Sequence, residues 1–249
     1  MAGKKYTEEH RVVYYETNIT GTMNIGTLVD LCMLVSMDQS ALLGISTERL
    51  DHMGYGWVIM QNIVDVVRLP KEHENIKITT QATSYNRLFC YRNFYVHDKQ
   101  GEEIVHMHTV FALMDKAKRK IARIQKEIVG PYEGDYSTKI ERLAVPHLAD
   151  KVDYSNQYHV RFMDIDSNQH VNNVHYYEWM LDTLPMEFLQ NHEIKHLNIV
   201  YKNEVRYGES VESNTQLIND HQTLHEIKVG NKLSCTAEVE WQPFNSKKS

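Results

Sequence analysis

Residues 164–179 read D-I-D-S-N-Q-H-V-N-N-V-H-Y-Y-E-W, and the rest of the chain is best read outward from them. Asp166, Asn168 and His170 fall at alternate positions. In an extended segment side chains two apart share a face, so a carboxylate, an amide and an imidazole would point to one place. Asn172 and Asn173 suit a helix N-terminus, where a short amide side chain accepts a backbone N–H. Val174, Tyr177 and Leu181 follow at the helical period. The stretch therefore predicts a polar cluster delivered to the start of a helix. Free N–H groups there, around His170 to Asn172, would suit an anion or a carbonyl oxygen that turns negative under attack. Taken alone, such a run is as readily capping and turn chemistry.

The first half of the chain carries a second version of it. Placing His170 on Thr22 puts Phe162 on Tyr14, Asp164 on Glu16, Asp166 on Asn18, Asn168 on Thr20 and Asn172 on Asn24. Further on, N-I-V at 62–64 matches N-I-V at 198–200, and Val67-Arg68 matches Val205-Arg206, with a shorter connection in the second copy. The pattern predicts two copies of one unit: a strand, a buried helix, then an antiparallel sheet. In the first copy residues 10–15 read as the strand. The helix runs from Asn24 and stops at Gly44, a suitable C′ residue. Strands follow over 57–69, 76–85, 88–97 and 103–114, and 115–128 return as a strand or short helix. A linker at 133–150 separates an N-terminal unit, 1–132, from a C-terminal unit, 151–249. Only the second copy carries reactive groups. Asn18, Thr20 and Thr22 stand opposite its Asp166, Asn168 and His170, and Val66 stands opposite Glu204, on the strand before Val205-Arg206. One reactive site per chain is expected, in the second half.

Composition sets the outer bounds. At 249 residues the chain can bury a substantial core, and its net charge of −6 gives no reason to expect nucleic acid. Cys32, Cys90 and Cys235 are far apart and form no C-x-x-C pair, which points to a reducing compartment, the cytoplasm. No run approaches a membrane span, and the N-terminus has no apolar targeting segment. His106 with His108, and His192 with His196, lack a third ligand, so no metal site is expected.

The motif resembles that of the acyl-acyl carrier protein thioesterases, D-x-D-x-N-x-H-V-N-N-x-x-Y-x-x-W, matched from Asp164 through Tyr176 to Trp179. Their second block, roughly Y-R-R-E-C, is similar to Tyr201-Lys202-Asn203-Glu204-Val205. The resemblance covers the chain nearly end to end and implies an α+β double hotdog, each unit a long helix wrapped by a curved antiparallel sheet. It implies hydrolysis of fatty acyl-acyl carrier protein without metal or organic cofactor, with Asp166, Asn168, His170 and Glu204 as the catalytic set. Val205 stands where the family often has cysteine, so a covalent cysteine mechanism at that position is ruled out.

A thioester carbonyl needs an attacking oxygen, a proton acceptor and a stabilised oxyanion. Glu204 is expected to activate water, His170 and Asn168 to orient the reacting groups, and Asp166 to hold His170 in one tautomer. Direct attack by Glu204 through an anhydride is the mechanistic rival. Asn172, Asn173, Leu28, Val29, Cys32 and Trp57 are candidate substrate contacts, the last four forming an apolar slot in the first copy. Carrier protein is acidic, and Lys116, Lys118, Arg119 and Lys120 lie in the densest basic run, a candidate docking patch. The competing functions are an acyl-coenzyme A thioesterase, a hotdog lyase and a non-catalytic acyl-binding protein. The tandem chain contains one hotdog pairing internally and is expected as a monomer or a homodimer of such chains.

Overall fold

The structure is a computed structural model that describes residues 3–166 and 169–244. The first half builds β1 (Lys5–Arg11), α1 (Ile25–Leu42), α2 (Thr47–His52), β2 (Tyr55–Val66), β3 (Asn75–Tyr85), β4 (Phe89–His97) and β5 (Glu103–Asp115). Short pieces follow: β6 (Lys120–Ile121), α3 (Lys126–Val129) and β7 (Asp135–Tyr136). The second half builds β8 (Tyr154–His159), α4 (Val174–Leu181), α5 (Met186–Asn191), β9 (His192–Tyr201), β10 (Ser210–Asn219), β11 (Gln222–Val229) and β12 (Lys232–Pro243).

α1 forms because Ile25, Leu28, Val29, Cys32, Val35, Ser36 and Gln39 make one buried face at helical spacing. It ends as the glycine predicts. Gly44 takes φ +73°, its N–H bonds the Ala41 carbonyl at 3.0 Å, and the Ile45 N–H bonds that of Ser40 at 2.8 Å. α1 is long and apolar enough to cross a bilayer, but here its apolar face lies in the core inside the sheet.

One continuous sheet takes the order β1-β3-β4-β5-β2-β9-β12-β11-β10-β8. The second half runs through the first half's order in reverse, as a two-fold axis between β2 and β9 requires. At that seam Asn62 pairs with Ile199 and Ile63 with Asn198, so the repeated N-I-V triplet pairs antiparallel with its own copy. The fold is α+β, two hotdog-like units side by side, and one core cluster runs through both. The helix of the second unit is shorter: α4 has 8 residues and α1 has 18.

The copies agree down to single hydrogen bonds. Asn18 N–H bonds Thr22 O at 3.0 Å, as Asp166 N–H bonds His170 O at 2.8 Å. Asn24 N–H bonds Glu16 O, as Asn172 N–H bonds Asp164 O, both at 2.9 Å. Gly21 (φ +74°) and Gln169 (φ +67°) hold the same left-handed position.

Three expectations change. The first strand stops at Arg11, and Tyr14–Glu16 is a 3-10 turn because the Glu16 carboxylate captures the Val13 N–H at 2.9 Å. Ile165 bridges Val171, and the Gln169 N–H bonds Asp166 O at 3.0 Å, so alternation does not set the directions of Asp166 and His170. The sequence register at Glu204 also shifts. His73 N–H bonds Val12 O, as Gly208 N–H bonds Val160 O, and Lys71 N–H bonds Glu74 Oε2, as Arg206 N–H bonds Glu209 Oε2. These bonds place Leu69, not Val66, opposite Glu204, and the counterpart remains apolar.

Candidate active site

His170 and Glu204 come from different segments, and one backbone bond joins them. Val171 N–H donates to Val205 O at 3.1 Å, so the residues just before each are brought face to face. Met23 N–H to Pro70 O, at 2.8 Å, is the same tether in the first copy. Glu204 lies beyond the end of β9, not on the strand. The ladder stops there because the amides of Lys202 and Asn203 both turn to the Ser234 carbonyl, at 2.9 and 3.1 Å.

The result is an imidazole–carboxylate contact of 3.0 Å between His170 Nε2 and Glu204 Oε2, with both side chains part-buried. Arg119 Nη2 also hydrogen-bonds Glu204 Oε2 and lies 3.3 Å from His170 Nε2. Arg206 Nη2 stands 3.9 Å from the same oxygen. Every one of these contacts is on Oε2. Oε1 takes no hydrogen bond from a described residue.

Asp166 Oδ1 accepts the backbone N–H of His170 at 3.4 Å, acting on the loop that presents the imidazole. Asn168 lies outside the described residues. Asp164 is 2 % exposed and anchors the loop. Burial pushes its carboxyl up, but the Arg161 guanidinium at 2.7 Å and the Arg161 N–H at 2.8 Å outweigh that and hold it below the usual range. One turn into α4, the Glu178 carboxylate, 2.7 Å from His175 Nδ1, raises that imidazole against its burial.

The helix start does not supply the expected oxyanion donors. The N–H of Val171 is taken by Val205 O and that of Asn172 by Asp164 O. Among the described residues the Asn172 side chain makes only long contacts, 3.4 Å from its amide nitrogen to Asp30 and 3.4 Å from its oxygen to the Val174 N–H. Asn173 precedes α4 without a side-chain cap.

Leu28, Val29 and Cys32 belong to the packed core, each at most 2 % exposed. Trp57 instead lines a cavity of about 50 Å³ between the C-terminal half of α1 and the inner face of the first sheet. Ser36, Ser40, Arg92, Phe111 and Tyr132 share that lining. Trp57 and Phe111 meet edge to face, centroids 6.2 Å apart. Sequence reading missed Ser36 and Ser40, although polar residues four apart on a buried helix face are a signal.

In the basic run, Lys116 is paired with Asp51, and Lys118 Nζ with Asp115 Oδ2 at 2.9 Å. Lys120 is exposed. Arg119 faces the site itself.

This is a paired hotdog-like scaffold that sets His170 against Glu204. The family model described as acyl-ACP thioesterase N-terminal domain matches residues 3–132, and the acyl-ACP thioesterase C-terminal domain matches 148–243. The chain belongs to the acyl-ACP thioesterase family. It is similar to the crystal structure of a protein named as an oleoyl thioesterase from Lactobacillus plantarum, with TM-score 0.94, 36% identity and 98% of each chain covered. An acyl-ACP thioesterase from Bacteroides thetaiotaomicron shares the fold, with TM-score 0.85 and 24% identity over 96% of this chain and 98% of that one. A chloroplastic acyl-[acyl-carrier-protein] hydrolase of Cuphea viscosissima is 26% identical over 98% of this chain, which spans 64% of that relative's length.

Proposed function

We propose that this chain hydrolyses the thioester between a fatty acyl group and acyl carrier protein. The observation that carries the reading is the 3.0 Å contact between His170 and Glu204, in a loop pair that the first copy reproduces with Thr22 and Leu69. Glu204 Oε1 takes a proton from water as the water oxygen attacks the thioester carbonyl carbon. The C–S bond then breaks, and the departing sulfur receives that proton to leave as the carrier's thiol. His170, donating from Nε2 to Oε2, orients the carboxylate, and Asp166 supports the loop from below. Asn168 completes the proposed set through the motif that the family resemblance supplies.

Residues 151–249 carry this chemistry, and residues 1–132 supply an apolar slot for the acyl chain that includes the cavity beside Trp57, the two joined by 133–150. Asn172 and Asn173 are proposed as substrate contacts at the start of α4. Lys120, and Lys116 and Lys118 beyond their internal pairs, offer positive charge to an acidic carrier at the same edge.

Glu204→Gln keeps the shape of the side chain and removes the base. It should lower kcat by about 10²–10⁴-fold with unchanged thermal unfolding. Near-normal turnover would remove both the general-base and the anhydride versions and leave an acyl-binding protein. One acyl chain offered on carrier protein and on coenzyme A should give the higher kcat/KM on the carrier. The reverse order makes the chain a coenzyme A thioesterase.

A further inference from the structure

We infer that Arg119 is a positioning residue for Glu204, supplied to the second copy's site by the first copy. The inference deepens the hydrolase reading and rests on it for its kinetic arm. Arg119 lies in the turn between β5 and β6, 85 residues before Glu204. That turn is built to present it. The Asp115 carboxylate accepts the Lys118 N–H at 2.9 Å, the Asp115 carbonyl accepts the Arg119 N–H at 2.8 Å, and Arg119 takes φ +54°. A left-handed backbone is costly for a long side chain with a Cβ, so the surrounding turn must impose it. Lys116 and Lys118 are tied to carboxylates of the first copy on either side, whereas Arg119 reaches across to the second.

The hydrogen-bond inventory around Glu204 says what the guanidinium does. A neutral imidazole has one N–H to give, and Nε2 faces both Arg119 and Glu204. Arginine only donates, so it cannot accept that proton. The consistent arrangement is His170 Nε2–H and Arg119 Nη2–H both donating to Glu204 Oε2. Two donors on one carboxylate oxygen fix the rotation of the carboxyl group and leave Oε1 for the substrate side. His170 alone would leave that rotation free.

Arg119→Met removes the guanidinium, Arg119→Lys keeps a donor, and Arg119→Gly also relieves the left-handed backbone. Steady-state kinetics would be run on acyl carrier protein and on the same acyl group carried by pantetheine. Positioning predicts a kcat loss of about 10²-fold in R119M on both substrates, KM within about 2-fold, and partial recovery in R119K. R119G should match R119M in kcat even where it unfolds at a higher temperature. A raised KM confined to the carrier-bound substrate, with pantetheine turnover unchanged, would assign Arg119 to docking and overturn the inference. A wild-type chain that cleaves neither thioester would sink the hydrolase reading instead. The ¹⁵N resonance of His170 Nε2 then decides the positioning role without substrate: it should move in R119M and return in R119K, and an unmoved resonance overturns it.

Discussion

Glu204 and His225 show the same polar chemistry put to opposite uses. At Glu204 the donors among the described residues converge on one oxygen and leave the other without a hydrogen bond from any of them. At His225 both ring nitrogens are hydrogen-bonded. Trp241 Nε1–H donates to Thr223 Oγ1 at 2.9 Å, and Thr183 Oγ1–H donates to Met180 O at 2.7 Å. Thr215, 2.6 Å from Thr183, must therefore give its proton to Thr183 and accept from His225 Nδ1–H at 2.8 Å. His225 Nε2 then accepts from Thr223 at 2.8 Å. Full burial lowers the pKa of His225 from 6.5 to about 3, against a hydrogen bond to the Met180 backbone that raises it. Below pH 6.5 the unfolded chain binds a proton that the folded chain refuses. This residue therefore costs stability as pH falls from 6.5 toward 3, at about 1.4 kcal/mol per pH unit. His225→Gln should be less stable than wild type at pH 7.5, with the gap narrowing steadily below pH 6.5 in urea melts. A gap independent of pH would mean that this imidazole takes up its proton in the fold at the same pH as in the unfolded chain. His170 was legible in the sequence because its neighbours repeat with altered chemistry. Arg119 was legible only as part of a basic run, since a partner 85 residues away leaves no local trace.

Among the elements, the closest joint near the site is that between α1 and α4. A Cβ built on Gly26 would meet the Val174 carbonyl oxygen at 3.4 Å, the Val174 Cβ at 3.5 Å and the Tyr177 Cβ at 4.0 Å. Those distances are ordinary contact, so one methyl group fits and nothing larger does. Gly26→Ala should gain roughly 0.5 kcal/mol, because alanine favours helix by up to about 1 kcal/mol and this first-turn position realises only part of it. Gly26→Leu should cost roughly 1–3 kcal/mol by prising the helices apart. Chemical denaturation of both variants checks this. A destabilised alanine variant would mean that α1 and α4 pack closer than these distances allow. Because Val174 opens α4 directly after the His170 loop, the leucine variant should also lose turnover. The helix of the first copy was readable from its apolar spacing and its terminal glycine. The placing of His170 was not, because alternation describes strands, whereas Gln169 takes a positive φ and bonds back to Asp166. The offset between the copies likewise changes inside the β2 and β9 connections, where a sequence match of two residues at 67–68 misled and the hydrogen bonds place Leu69.

For the whole molecule, duplication makes the two halves alike in backbone and unequal in chemistry. The Asn-Ile steps of the N-I-V triplets pair across the seam with each other, so β9 can meet a second β9 in the antiparallel register it keeps with β2. An isolated fragment 151–249 would expose that edge and half of the shared core, and unpaired edges seek partners. It should therefore pair with itself. Such a pair would hold two His170–Glu204 contacts and no Arg119. Phe244 N–H bonds Asn191 O as Lys116 N–H bonds Gly54 O, so the described part of the second copy ends where the Arg119 turn of the first begins. The proposed linker adds a further tie, since the Ala144 carbonyl accepts from Gln61 at 2.7 Å and from Asn198 at 2.9 Å, one on each side of the seam. Light scattering on the fragment should give the mass of a dimer, with hydrolysis lower by about 10²-fold. Co-expression with residues 1–150 should give a one-to-one complex with activity restored, because that piece brings the Arg119 turn and the cavity. A fragment 151–249 that hydrolyses at the full rate by itself would show that the second copy holds a complete site, and the cross-copy arginine would then be dispensable.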